Sequence, residues 1–273
     1  MFFALNQMTT PNLSYEAFLD LAKALGCRGV EVRNDLPRPL FDGLSPSEAG
    51  KMASQQGLRL VGLSQVYPFN AWSDEIKHKV QDLIAIAKEA GADTISLIPR
   101  NEGIGTGETE RKDNLDRALT HILPLLEDAD MVALVEPLGF LRSSLRYKSE
   151  LVDAIDAIDA AHRYKLVHDT FHHALADGGP MFPAYTGIVH ISAVVDPDLQ
   201  LSEMEDEHRV LVDGEDRLDN IGQIGALLAA GYAGPISYEC FSPKVHELGN
   251  PLQAIKTSLD MIESRLKSIH PST

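Results

Sequence analysis

Cysteine is scarce in this 273-residue chain, which holds only Cys27 and Cys240. The two lie far apart and make no CxxC spacing, which excludes a zinc ribbon and a disulfide framework and fits a reducing compartment. Positive charge is also in deficit: 24 Lys and Arg stand against 40 Asp and Glu, a formal net charge of −16. A field of that sign repels polyanions, so no nucleic acid partner is expected. No window approaches the roughly 20 apolar residues of a membrane span, so no membrane association is expected either. Met1-Phe2-Phe3-Ala4-Leu5-Asn6-Gln7 at the start has no basic region and too short an apolar run for a signal peptide. The expectation is a cytoplasmic protein. Glycine-rich loops of the P-loop or Rossmann type are absent, so neither nucleotide nor NAD is implied. Without a GxSxG elbow, the Ser, His and Asp residues give no ground for a catalytic triad.

What is present is an ordinary globular composition, 44% hydrophobic and 23% charged. Short apolar runs of strand length alternate throughout with stretches carrying apolar residues at three and four spacing. Strands are expected at residues 2–6, 29–33, 59–64, 94–98, 132–136, 165–169, 187–192 and 235–239. Helices are expected at 15–25, 46–56, 74–90, 110–127, 149–160, 219–230 and 252–266, with a weak signal at 172–176 and a long acidic loop at 193–217. Eight strand-then-helix units with no linker predict one (β/α)8 barrel, a TIM barrel, over residues 1–273. The apolar positions of the last helix would permit a homodimer.

In such a barrel, reactive groups sit where strands end, on the carboxyl-terminal face. The fifth expected strand ends at Glu136 and the sixth at Asp169, followed by His172 and His173. The seventh presents His190 and the eighth ends at Glu239. Taken singly, an acid at a strand end is commonly a helix cap and a strand histidine a core residue. Four of them at the same end of four adjacent strands are a different matter, because charged groups are rarely buried unless paired or metal-bound. Three carboxylates and one imidazole suit one divalent ion: Mn²⁺ first, with Mg²⁺, Co²⁺ or Zn²⁺ also compatible.

The stretches Val135-Glu136-Pro137-Leu138, Asp169-Thr170-Phe171-His172, Val189-His190-Ile191 and Ser237-Tyr238-Glu239-Cys240-Phe241-Ser242-Pro243 resemble the xylose isomerase-like TIM barrels, the sugar isomerase and epimerase superfamily. Within it, Gly29-Val30-Glu31-Val32-Arg33 and Asp206-Glu207-His208-Arg209 look most like the inosose (2-keto-myo-inositol) isomerase subfamily of inositol catabolism. The resemblance implies a metal held by Glu136, Asp169, His190 and Glu239. It also implies Glu136 and Glu239 as acid/base groups, and a keto-polyol or sugar substrate isomerised through a metal-stabilised enediolate. Related epimerases place a substrate-touching histidine where His172 stands. His173 is expected at the surface or behind the ligands. Arg33, Arg142, Arg209 and Gln65 are candidate donors to substrate hydroxyls, and the aromatic run Tyr67-Pro68-Phe69-Asn70-Ala71-Trp72 is a candidate stacking surface.

Other readings on the same barrel stay open. Ketose 3-epimerases carry a second glutamate six residues after the first ligand, where this chain has Arg142, and an arginine six after the histidine, where it has Asp196. A dehydratase of an inosose or a dehydroshikimate needs only one further placed proton donor. An apurinic endonuclease would use three metals and extra histidines, whereas the second and third strand ends here read Arg33-Asn34-Asp35 and Ser64-Gln65.

Overall fold

The computed structural model describes residues 1–269; the last four residues of the expected 1–273 barrel lie outside it. Strands β1 (Phe3–Asn6), β2 (Gly29–Arg33), β3 (Arg59–Val66), β4 (Thr94–Leu97), β5 (Val132–Val135), β6 (Tyr164–Asp169), β7 (Thr186–Ile191) and β8 (Ile236–Tyr238) pair in parallel in sequence order. β1 closes on β8, with Ala4 opposite Ser237, so the sheet is a closed barrel. Around it run α1 (Tyr15–Ala24), α2 (Pro46–Gln55), α3 (Asp74–Ala90), α4 (Glu108–Asp128), α5 (Lys148–Ala157), α6 (Thr170–Leu175), α7 (Asn220–Ala229), α8 (Pro243–His246) and α9 (Pro251–Ile269). All eight expected strands are there, displaced at their ends by two residues or fewer. The four-residue α8 has too few turns to show a period and was not expected.

Local chemistry sets the helix ends. Ser14, Ser45 and Ser73 cap α1, α2 and α3 through their side-chain oxygens, Ser45 in a reciprocal capping box with Glu48. α3 stops at Gly91 in the left-handed conformation, φ 69°. The acidic segment at 193–217 is partly structured, with single 3-10 turns at Leu201–Glu203 and Asp206–His208 and an antiparallel bridge between Ala193 and Val210.

Side chains alternate across a strand, so the barrel has an inner and an outer face. The outer face, with Leu5, Val30, Ile95, Val135, Leu166 and Ile191, joins the helices in one large core. Phe2, Ala4, Val61, Leu134, Val167 and Ile188 form a separate apolar cluster that plugs the bore at its amino-terminal end. Two residues further along the same strands the inward face becomes polar: Ala4 gives way to Asn6, Leu134 to Glu136, Val167 to Asp169 and Ile188 to His190. All four of those polar residues are buried.

The dimer surface expected on the last helix is corrected by the packing, because Ile255, Leu259, Ile262 and Leu266 are buried in the chain's own core. Among the described residues the most exposed large apolar side chains are instead Leu141 and Ile104, in loops above the barrel. Among the described residues no helix is long and apolar enough to cross a membrane.

The carboxyl-terminal face is held together by close backbone approach. A methyl group on Gly139 would lie 2.3 Å from the His172 carbonyl oxygen and 2.6 Å from the Leu175 Cβ, so α6 packs where no other residue type fits. Gly139→Ala must push α6 outward and should lower stability by about 1–3 kcal/mol, read as a lower urea midpoint at unchanged slope.

Candidate metal centre

β5, β6, β7 and β8 deliver Glu136, Asp169, His190 and Glu239 to one point. One ligand-competent atom from each lies within 4.8 Å of all the others, and all four residues are buried. Glu136 and Glu239 fall one position past their strands, where the backbone is still extended enough to keep the alternation. Among the described residues this is the one group of three or more such side chains that converges in this way.

The histidine is oriented from behind. His190 Nε2 lies 3.0 Å from Glu31 Oε2, a carboxylate wholly buried inside β2. That bond puts the ring proton on Nε2 and leaves Nδ1 facing Glu239 Oε2 at 3.2 Å and Glu136 Oε1 at 3.6 Å. Neither His190 Nδ1 nor Glu136 Oε1 has a hydrogen-bond partner, although both are buried. Two orphaned buried atoms of metal-ligating type, aimed at the same point as two further carboxylates, fit a divalent cation by position and by chemistry.

Three positive groups border the cluster. Arg209 is 1% exposed and reaches in from the segment after β7; its Nη2 lies 2.5 Å from Asp169 Oδ2 and 3.1 Å from Glu239 Oε2. Its guanidinium sits 5.0 Å from the Phe171 ring centre and 4.6 Å from that of Phe241. Arg33 donates from Nη1 to Glu239 Oε1 at 2.6 Å and clasps Asp35 with its remaining nitrogens at 2.9 and 2.7 Å. Asn6 Nδ2 also donates to Glu239 Oε1, at 3.2 Å. Arg142 sits at the rim, half exposed, in a two-bond pair with Glu205. The three arginines among the four expected hydroxyl donors thus have carboxylates as their first partners. Gln65 donates to Asp35 Oδ2 at 3.0 Å.

The surroundings separate the two glutamates. Burial and the neighbouring charge of Glu239 push Glu136 above the usual carboxylate range. Burial acts on Glu239 in the same direction, but His190, Arg209 and Arg33 outweigh it and hold Glu239 well below that range. For His190 burial favours the neutral ring, yet Glu31 and Glu239 outweigh it and raise its pKa well above 6.5.

A cavity of about 380 Å³ opens over the cluster, bordered by Glu136, Glu239, Arg33, Arg142, Arg209, His172 and Gln65, with aromatic faces from Tyr67, Phe140 and Phe241. Its size and its mix of flat apolar faces with converging polar groups suit a small molecule. Of the expected aromatic run only Tyr67 reaches this cavity. Trp72 is turned away and stacks on His121 of α4, the ring centres 5.3 Å apart. His172 is buried at the cavity wall, and His173 is buried too, packed at 4.9 Å against His168. The surface position considered for His173 is therefore wrong: the short α6 lies flat on the barrel.

Glu31 went unassigned in the sequence, although one signal was there. It stands two residues before Arg33 in an otherwise apolar five-residue strand, so both point inward. Glu31→Gln should weaken metal binding about 10- to 100-fold in a chelator competition, because the ring would lose the negative charge behind it that fixes its tautomer and raises its basicity. A metal competes with the Nδ1 proton, which the raised pKa retains above pH 6.5. Apparent affinity should therefore keep climbing as pH rises past 6.5 and fall as pH drops, read by metal titration at successive pH values.

Known proteins bear on this geometry as follows. The family model described as xylose isomerase-like TIM barrel matches residues 19–265. A xylose isomerase domain-containing protein from Salmonella typhimurium LT2 superposes with TM-score 0.87 at 31% identity, covering 97% of this chain and 96% of that one. An IolI protein with a bound zinc atom gives 0.87 at 19% identity over 97% and 99% of the two chains. D-psicose 3-epimerase from Clostridium cellulolyticum H10, with D-tagatose, gives 0.75 at 17% identity over 97% and 99%. The last two similarities are of fold alone, and no curated protein sequence matches. The model's coverage, with a relative above 30% identity along nearly the whole chain, makes this protein a member of the xylose isomerase-like TIM barrel family.

Proposed function

We propose that the chain is a divalent-metal-dependent isomerase of a keto-polyol, with inosose (2-keto-myo-inositol) as substrate and Mn²⁺ as the ion. The observation that carries this reading is the convergence of Glu136, Asp169, His190 and Glu239 under a cavity of small-molecule size, with two of their buried atoms unpartnered. The motifs shared with the inosose isomerase subfamily supply the substrate. When bound, the ion would polarise a substrate carbonyl and make the proton on the adjacent carbon more acidic.

The side chains divide the remaining work. Glu136 and Glu239 come from β5 and β8, on opposite sides of the mouth, so one can take a proton from carbon while the other returns one to the neighbouring atom. Glu239 is anchored by Asn6, Arg33 and Arg209, whereas Glu136, held above the usual carboxylate range, is the carboxyl suited to carry a proton. Tyr67, Phe140 and Phe241 exclude water and offer flat faces to a ring. Arg33 and Arg209 keep the carboxylates in place and present their edges to substrate oxygens.

The test is proton NMR of inosose in D₂O with the Mn²⁺-loaded protein. A second inosose should appear with deuterium at one carbon. Glu136→Gln and Glu239→Gln should each slow the exchange by about 100-fold or more at matched metal content. An unchanged spectrum with the metal bound would remove inosose as substrate. Release of water without a second inosose would assign the site to dehydration instead.

A further inference from the structure

The nitrogen-bearing side chains that the metal centre leaves unused gather in one place. A second cavity of about 190 Å³ lies between the start of α5 and the loop after α6, and His172 borders both it and the mouth. Lys148, Arg146, His173, Ser149, Asp169 and Asp177 complete its polar wall.

Donor bookkeeping fixes the state of these groups. Gln223 Nε2 donates to the carbonyls of Thr170 and Leu218, at 3.1 and 2.6 Å, which turns its Oε1 toward His168 Nε2 at 2.9 Å. His168 therefore carries its proton on Nε2, and its Nδ1 accepts from Lys148 Nζ at 2.8 Å. That contact holds the lysine without compensating its charge. The acid that acts on Lys148 is Asp169, and its Oδ2 is already paired with Arg209 and its Oδ1 with the His172 backbone N–H. Burial accordingly brings the amine down to about 7.

The rest of the wall has the same character. Arg146 is held by the Gly139 and Leu175 carbonyls and the Tyr147 hydroxyl, and its nearest acid, Asp177, is 3.8 Å away and 82% exposed. His172 and His173 are 4% and 8% exposed, and the Nδ1 of each is buried with no partner. α5 opens at the same wall behind Tyr147, which makes no side-chain cap, so the first amides of a ten-residue helix add their positive end. In a chain of net charge −16, this wall gathers Lys148, Arg146 and two buried imidazoles, while of its own carboxylates Asp169 is taken up by Arg209 and the His172 N–H and Asp177 is turned to solvent.

We propose that the side cavity binds a small oxyanion, a carboxylate or phosphate group, between Lys148, the imidazoles of His172 and His173, and the first amides of α5. The anion supplies the counter-charge that the fold does not give Lys148. Its position behind His172 places it one side chain away from the substrate cavity.

Inorganic phosphate is the probe, titrated calorimetrically into the metal-loaded full chain freed of excess metal, and Lys148 acylation by acetic anhydride is followed by mass spectrometry. Expected are one saturable site per chain and protection of Lys148 at saturation. Lys148→Met should weaken binding about ten-fold or more, while Lys148→Arg keeps most of it, because a charge-assisted hydrogen bond contributes on that scale. Melting curves of both variants establish that they are folded. Equal phosphate affinity in Lys148→Met, no saturable binding, or acylation that phosphate does not slow would each overturn the proposal. The titration repeated with inosose present separates two sources: undiminished affinity marks a free oxyanion bound beside the substrate, and competition marks the place of a substrate's own anionic substituent. None of these readouts needs turnover, so this site and the isomerase reading can fail separately.

Discussion

Crowding of like charge at the carboxyl-terminal mouth organises this molecule. Glu136, Asp169 and Glu239 bring carboxylate oxygens within 4.8 Å of one another, with Glu31 behind the histidine between them, and two ionised carboxylates at that distance would repel by about 3–4 kcal/mol at an effective dielectric of 20. The fold answers with two buried arginines and an imidazole. Arg209 helps to fold the acidic segment after β7 back over the barrel, together with the buried Val194, Met204 and Val212. The segment is then fastened by the Ser242 N–H to the Arg209 carbonyl and by the Val212 N–H to the Tyr238 hydroxyl, both about 3 Å. A loop that composition alone would leave in water is thus drawn in by electrostatics and apolar burial, and it carries Asp206 to the cavity wall with it.

The sheet's pleat divides this chemistry in two. Along β6, Val167 and Asp169 face the bore while His168, between them, faces outward to Lys148 and Gln223. One strand therefore supports a carboxylate of the candidate metal centre on one side and a buried amine on the other. Only its continuation into α6, with Asp169 as the helix cap, brings His172 to the boundary between them.

Much of this was readable in the sequence because it depends on period and position alone. Eight apolar runs separated by amphipathic stretches predict a parallel barrel, and alternation along each of the last four strands puts its acid or histidine on the inward face. Glu31 was half legible: its parity with Arg33 shows the direction it points, but not that His190 stands opposite. The Lys148–His168–Gln223 chain was not legible, since it joins a helix start, a strand interior and a helix middle that meet only once the barrel closes. The fate of α9's apolar face was hidden for the same reason, because amphipathicity says that a face is buried and not against what.

The apolar plug has a final consequence. Phe2, Ala4, Val61, Leu134, Val167 and Ile188 seal the amino-terminal end, so the barrel is a cup and not a pipe. Whatever reaches the candidate metal centre must then enter and leave by a single doorway. The loops that frame this doorway, carrying Tyr67, Phe140, Arg142 and Phe241, therefore govern arrival and departure together, and a change that tightens the hold on one molecule delays the next.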